Sequence, residues 1–129
     1  MKTLIKLRAD ESGAAMVEIA FALPVFLTLI WAVVQLGLVF RANAGIQNAL
    51  GEGARYATLF PTPDDDSIKA KMVATVDGIG PGTFTPTVTP NATLKYKDLQ
   101  VQYSQNTDLI MFRGPRITIT RHKRVWVAN

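Results

Sequence analysis

An α+β fold is predicted for this chain. One long N-terminal helix, membrane-spanning in its first half, packs its second half on a small antiparallel β-sheet head. Three observations carry the prediction. A 27-residue apolar run, Ala14 to Phe40, holds a single charge, Glu18. Beyond it, Ile46, Leu50, Gly53, Ala54 and Ala57 recur at the three-to-four residue spacing of one helical stripe. Near the end, Leu99, Val101 and Tyr103 alternate with Gln100, Gln102 and Ser104, the pattern of a half-buried strand.

The apolar run is long enough to cross a bilayer. At 1.5 Å rise per residue it covers about 40 Å, against a hydrocarbon core of about 30 Å. Lys2, Lys6 and Arg8 precede it, alongside Asp10 and Glu11, and Arg41 follows closely. This basic excess places the N-terminus in the cytoplasm and the C-terminal part across the membrane. Glu18 is the costly residue, since a central carboxylate loses roughly 2.5–3.5 kcal/mol on insertion scales. It either serves a partner or, lying about one turn inside the apolar boundary, snorkels to the interface. Pro24 removes a backbone hydrogen bond and crowds the preceding turn, so a kink or local unwinding is expected there. Thr28 and Gln35 mark a helix-packing face. Trp31 lies too deep for an interfacial anchor and reads as a packing residue.

The stretch after Arg41 is dense in small residues: Ala42, Ala44, Gly45, Ala49, Gly51, Gly53 and Ala54. Each interior Gly costs about 1 kcal/mol relative to Ala. Close approach of a second helix or a sheet offsets that cost, because small side chains let backbones come near.

A break is expected at Phe60-Pro61-Thr62-Pro63. A short helix follows, with Thr62 as cap, Pro63 in its first turn and Asp64, Asp65 and Asp66 at the positive end of its dipole. Ile68, Met72, Val73 and Val76 form its apolar face, and Asp77-Gly78 ends it. The three acids lack the alternating spacing of a calcium loop, and no metal is expected there. From Gly78 to Pro90 the chain is loop-like, with a short edge strand within Thr83–Thr89, where Pro is tolerated. After the Leu99–Tyr103 strand, Ser104 to Asp108 reads as a turn and Leu109–Arg113 as a second strand. Gly114-Pro115 turns again, and Ile117 and Ile119 begin a third strand with Thr118 and Thr120 outward. Val125-Trp126-Val127 closes it. A head of about 70 residues has a marginal core of its own and leans on the long helix.

The entry segment carries a resemblance. Gly13 follows a short polar, basic stretch, MKTLIKLRADESG, and Glu18 is the fifth residue after it. That arrangement resembles the leader of the type IV pilin superfamily, in which a prepilin peptidase cuts after a Gly and the fifth mature residue is Glu. Gly13-Ala14-Ala15-Met16-Val17-Glu18-Ile19-Ala20-Phe21-Ala22-Leu23-Pro24 and Ala49-Leu50-Gly51-Glu52-Gly53-Ala54-Arg55-Tyr56-Ala57 together resemble TadE-like minor pilins (pseudopilins) of tight-adherence pili. Ile19 departs from the aromatic residue that major pilins of this class carry, which favours a minor pilin.

The resemblance implies a pilin-like fold divided into a leader (1–13), a transmembrane helix (14–40), its periplasmic continuation (41–59) and a small α+β head (60–129). It implies processing at Gly13 and Ala14, and assembly through Glu18 paired with the Ala14 amine of a neighbouring subunit. It gives Pro24 a role in local melting as a subunit leaves the bilayer. The implied partners are the prepilin peptidase, other minor pilins, the major pilin, the inner-membrane assembly platform and the lipid bilayer. The implied location is the bacterial inner membrane, single-pass with a periplasmic head, with entry into the extracellular pilus as a further step. Two other readings of the N-terminus stay open. One is a signal peptide cut after Ala42-Asn43-Ala44, though its apolar region is about twice the usual length. The other is an uncleaved signal anchor holding a periplasmic adaptor or binding module.

Charge and composition narrow the function further. The formal net charge is +4. Arg113, Arg116, Arg121, Lys123 and Arg124 crowd the end of the chain with no acid among them. They read as a solvated sheet face or as a patch for an acidic partner subunit or anionic lipid. Nucleic acid is not expected, since no helix-turn-helix, finger or RNA-binding aromatic pattern accompanies them. The chain has one His and no Cys, so there is no disulfide framework and little catalytic chemistry. No phosphate loop, metal-ligand cluster or nucleophile elbow appears. The expectation is a non-enzymatic protein without cofactor or small-molecule substrate.

Overall fold

The apolar run and the small-residue stretch form a single helix, and everything after it folds back along the helix's second half. The computed structural model describes residues 11–108 and 113–127. Its elements are α1 (Glu11–Ala57), α2 (Asp65–Thr75), β1 (Thr83–Asn91), β2 (Tyr96–Asp108) and β3 (Arg113–Trp126). The strands form one antiparallel sheet in the order β1-β2-β3. This is the predicted long helix on a small antiparallel sheet, with three strands. The stretch before Glu11 and most of the predicted strand Leu109–Arg113 lie outside the described residues.

The burial along α1 follows helical periodicity. From Gly13 to Leu27 every residue is exposed. A half-buried stripe then runs through Thr28, Ala32, Gln35 and Val39 and deepens at Ala42, Ile46, Ala49 and Gly53. The predicted stripe of Ile46, Leu50, Gly53, Ala54 and Ala57 is buried throughout. Against it stand Ile68 and Met72 of α2 and Leu99, Val101 and Tyr103 of β2, all with essentially no exposure. Close approach explains two of the glycines. A Cβ at Gly45 would overlap the Asp77 carbonyl, and one at Gly53 would overlap Met72. Gly51 differs, with nothing within 4 Å of such a Cβ, and Ala44 is exposed.

Two fastenings hold the head to itself. The Tyr103 hydroxyl accepts the Gly82 N–H at 3.1 Å and donates to the Ile79 carbonyl, tying β2 to the connection that precedes β1. That connection passes through left-handed backbone at Gly78 (φ 65°) and Gly80 (φ 78°), where glycine carries no Cβ penalty. Lys97 is buried on β2. Its ammonium lies 2.7 Å from Asp65 Oδ1 and donates to the Pro63 carbonyl at 2.9 Å. Hydrogen bonds to charged groups contribute about 1.5–3 kcal/mol, so this contact pins the start of α2 to the sheet.

Several local expectations are corrected. The cap of α2 is Asp64 rather than Thr62, because the Asp64 carboxylate reaches the Ser67 N–H at 3.2 Å, as an N-cap must. Val73 is about half exposed and does not join Ile68 and Met72, since it falls off their side of the helix. The edge strand in the Thr/Pro-rich stretch is nine residues long and reaches Asn91, so that part is not a loop. Ser104–Asp108 is not a turn but the end of β2, and Gly114-Pro115 is not a turn but the start of β3. Polar side chains obscured both. Thr107 is buried with its hydroxyl donating to the Pro115 carbonyl at 2.6 Å, and it fills the space a Cβ would need at Gly114. Pro115 is tolerated because β3 is an edge strand.

Candidate functional site

The entry of α1 is a bare helical stalk. Gly13 and Ala14 are already helical, since α1 begins at Glu11, and nothing lies within 4 Å of a Cβ at Gly13. Glu18 is exposed and has no hydrogen bond or ion pair among the described residues. It stands four residues after Ala14, so the two share one face of the helix about 6 Å apart along the axis. Ala14 and Glu18 thus lie on one side of an uncovered segment, with Gly13 about 140° around the helix from Glu18.

Pro24 sits within unbroken α-helix, so the expected unwinding is not present. The Thr28 hydroxyl donates to the Pro24 carbonyl at 2.8 Å. That bond lies one turn beyond the Ala20 carbonyl, the acceptor that Pro24 deprives of its backbone donor.

The five basic residues do not make one patch. Strand parity divides them between the two faces of the sheet. Arg116 and Arg124 stand opposite Asn106 and Asp98 on the outer face, with His122 opposite Gln100. Arg121 and Lys123 stand opposite Val101 and Leu99, on the side facing α1. Arg113 pairs with Asp108 at the far end of the strand, beyond an irregularity at Asn106–Asp108.

Three of the five have side-chain partners. Arg124 forms a bidentate pair with Asp98 at 2.8 and 2.9 Å and stacks on the Tyr96 ring, 4.1 Å from its centre. Tyr96 in turn meets Trp126 edge-on. The Arg124 guanidinium holds the Asp98 carboxyl below its usual range by hydrogen bonding, and Asp98 raises Arg124 by the same bond. Because the folded Asp98 value is depressed, the pair's contribution is present above the ordinary aspartate pKa and is lost as pH falls through the lowered value. Arg116 donates to the Asn106 side chain at 3.1 Å, and Arg121 to Asn43 of α1 at 3.0 Å. These acceptors lie up to 78 residues away, and no local sequence signal pairs them with the arginines.

A second long-range contact joins the stalk to the sheet. Trp31 Nε1 donates to the Asp108 carbonyl at 2.6 Å, and the Gln35 amide donates to the same oxygen at 3.3 Å. Gln35 is therefore a packing residue, as expected, but its partner is the head. On the outer face, Thr89, Asp98, Gln100, His122 and Arg124 line an open groove of about 480 Å³. Asp98 and Arg124 are paired with each other in this groove, and His122 lines it beside them.

The fold and the stalk define a class: a protein with, among the described residues, one helix long and apolar enough to cross a membrane, bearing a small α+β head on that helix's second half. Residues 13–55 match the model of the TadE-like protein family, so this segment is TadE-like. The match covers about a third of the chain and ends before α2, leaving the sheet outside it. No curated protein and no solved structure gives a match to this chain.

Proposed function

We propose that the protein is a minor pilin, or pseudopilin, that takes part in initiating, priming or capping a tight-adherence pilus after a prepilin peptidase removes its leader. The observation that carries this reading is the stalk itself. Gly13 and Glu18 stand within the exposed apolar first part of α1, inside the segment that matches the TadE-like model, and Glu18 has no partner among the described residues. An unpaired carboxylate there is stabilised by a positive charge from another subunit. Cleavage after Gly13 creates such a charge, the new Ala14 amine. Glycine at position 13 weakens the helix by about 1 kcal/mol relative to alanine. Opening the helix there into a protease site is correspondingly less costly.

In this reading the chain is a substrate of the peptidase and then a structural subunit, not an enzyme. It sits in the inner membrane with its head in the periplasm, and other minor pilins, the major pilin and the assembly platform are its partners. Three arginines of the basic strand are engaged within the head.

Processing supplies the test. Gly13→Leu places a bulky side chain where the peptidase needs a small one, and the full-length chain is expected to accumulate in the membrane fraction. Unchanged shortening of Gly13→Leu in cells carrying the peptidase would leave an uncleaved or differently cleaved anchor as the better account.

A further inference from the structure

We infer that the free edge of β3 is a docking edge, which takes an extended acidic segment of another protein as a fourth strand of the sheet. The site lies on the head, outside the segment that matches the TadE-like model, and it does not depend on cleavage after Gly13.

The backbone supplies the first argument. Among the helices and strands described, β3 contacts β2 and α1 alone. β2 occupies one edge of the strand and α1 lies against one face, so the other edge is uncovered. The direction of its polar groups follows from one bond. The Val127 N–H donates to the Lys95 carbonyl at 3.0 Å, directly across the ladder. In an antiparallel pair, inward and outward groups alternate along each strand. The register is unbroken from Arg116 to Trp126, so Ile117, Ile119, Arg121, Lys123 and Val125 bond to β2. Arg116, Thr118, Thr120, His122, Arg124 and Trp126 therefore turn their N–H and C=O groups away from the sheet. Their row is about 34 Å long, and such a row is a template for a further strand.

The opposite edge of the sheet is built differently. Pro86 and Pro90 of β1 stand opposite Val101 and Lys97, which direct their backbone groups to β3. These prolines thus occupy outward positions and remove two donors from that edge. β1 also packs on α2. The sheet is blunted along β1 and open along β3.

Charge decides the occupant. No acid occurs from Arg113 to Val127. Arg124 is neutralised by Asp98, but Arg116 and Arg121 bond to neutral asparagines and keep their charge, and Lys123 is exposed. A second copy pairing antiparallel through β3 would set these bases against one another. With His122 at the centre Arg121 would face Lys123, and with Thr120 at the centre Arg116 would face Arg124. Like charges directly opposite are destabilising. An acidic strand meets opposite charge on both faces, since Arg121 and Lys123 stand on the α1 side and Arg116 on the outer side. Main-chain bonds then supply affinity, and the acids supply specificity. The bases form a strip along an edge, not a patch on a face.

A synthetic peptide tests the edge. The probe has about ten residues of alternating valine and glutamate, is blocked at both ends and carries a fluorophore, a length that matches the row. It is titrated into the full chain in non-ionic detergent at neutral pH. Saturable binding is expected, and the counterpart with lysine in place of glutamate should bind about tenfold more weakly or not at all. Thr120→Pro removes one outward donor without touching the β2 ladder. It should weaken the acidic peptide about tenfold or more while the near-ultraviolet circular dichroism of the head stays unchanged. Lys123→Glu keeps the backbone edge and should narrow the gap between the two peptides. A third measurement needs no variant. In the isotope-labelled wild-type chain, the acidic peptide is expected to slow amide exchange at Thr118, Thr120 and His122 while leaving Ile119 and Arg121 as they were. Absence of binding to the wild type, or equal binding to a folded Thr120→Pro chain, would overturn the inference. Binding that leaves the three outward amides exchanging at their free rate would overturn it too, as charge attraction without strand addition.

Discussion

Glu18→Ala is expected to insert into the membrane at least as well as the wild-type chain and to lose its association with pilus subunits. The two halves of this result have separate causes. Removing a carboxylate from an apolar helix relieves an insertion cost of up to roughly 2.5–3.5 kcal/mol, so membrane recovery does not fall. Opposite charges about 4 Å apart attract by about 4 kcal/mol at an effective dielectric of 20, and by more in lipid. Losing an attraction of that size weakens subunit association about a thousandfold. The head is not disturbed, because Glu18 lies in the uncovered part of α1, ten positions before the half-buried stripe begins at Thr28. Co-purification of the variant with other pilus components, against the wild type at equal membrane levels, is the measurement. Undiminished recovery would make Glu18 an interfacial snorkeller and end the pairing idea.

The second large effect concerns the joint between stalk and head. Gly45→Val is expected to destabilise the packed unit by about 3 kcal/mol, at the upper end of overpacking costs. A Cβ there would overlap the Asp77 carbonyl and approach Ile79 Cγ2 at 3.0 Å. The first of these is backbone, held in place by the left-handed turn at Gly78, so it cannot rotate aside. Gly51→Ala is the internal control. Nothing lies within 4 Å of its Cβ, and the gain in helix propensity is about 1 kcal/mol. Thermal unfolding of the detergent-solubilised chain, followed by near-ultraviolet circular dichroism, should therefore move in opposite directions for the two variants. A Gly45→Val melting temperature equal to that of wild type would mean that the head is not seated on α1 at this point.

Where the sequence has one dominant period, the structure follows it. The Ile46–Ala57 stripe and the Leu99–Val101–Tyr103 alternation are both buried as read, because each repeats one residue class along one face. The reading failed where polar residues are buried or where neighbours in sequence part company in space. Gln105 and Thr107 look like turn residues, yet both are buried at the end of β2, their polar atoms meeting Tyr103 and the Pro115 carbonyl. Arg121, Lys123 and Arg124 look like one cluster, yet a period of two sends Arg124 to the opposite face from the other pair. The stalk was legible for a different reason. Gly13 and Glu18 are conspicuous because nothing in the chain's own packing accounts for them, and the structure leaves both uncovered. The contact of Trp31 and Gln35 with Asp108 was invisible, since a separation of 77 and 73 residues leaves no local trace.

The central claim is that this chain is cut after Gly13 and then used as a pilin-like subunit. The mass of the mature chain recovered from the membranes of its native cells tests it most directly. The account predicts a polypeptide beginning at Ala14. A chain beginning at Met1 would indicate an uncleaved anchor, one beginning at Gly45 would indicate a secreted product, and either would contradict the account.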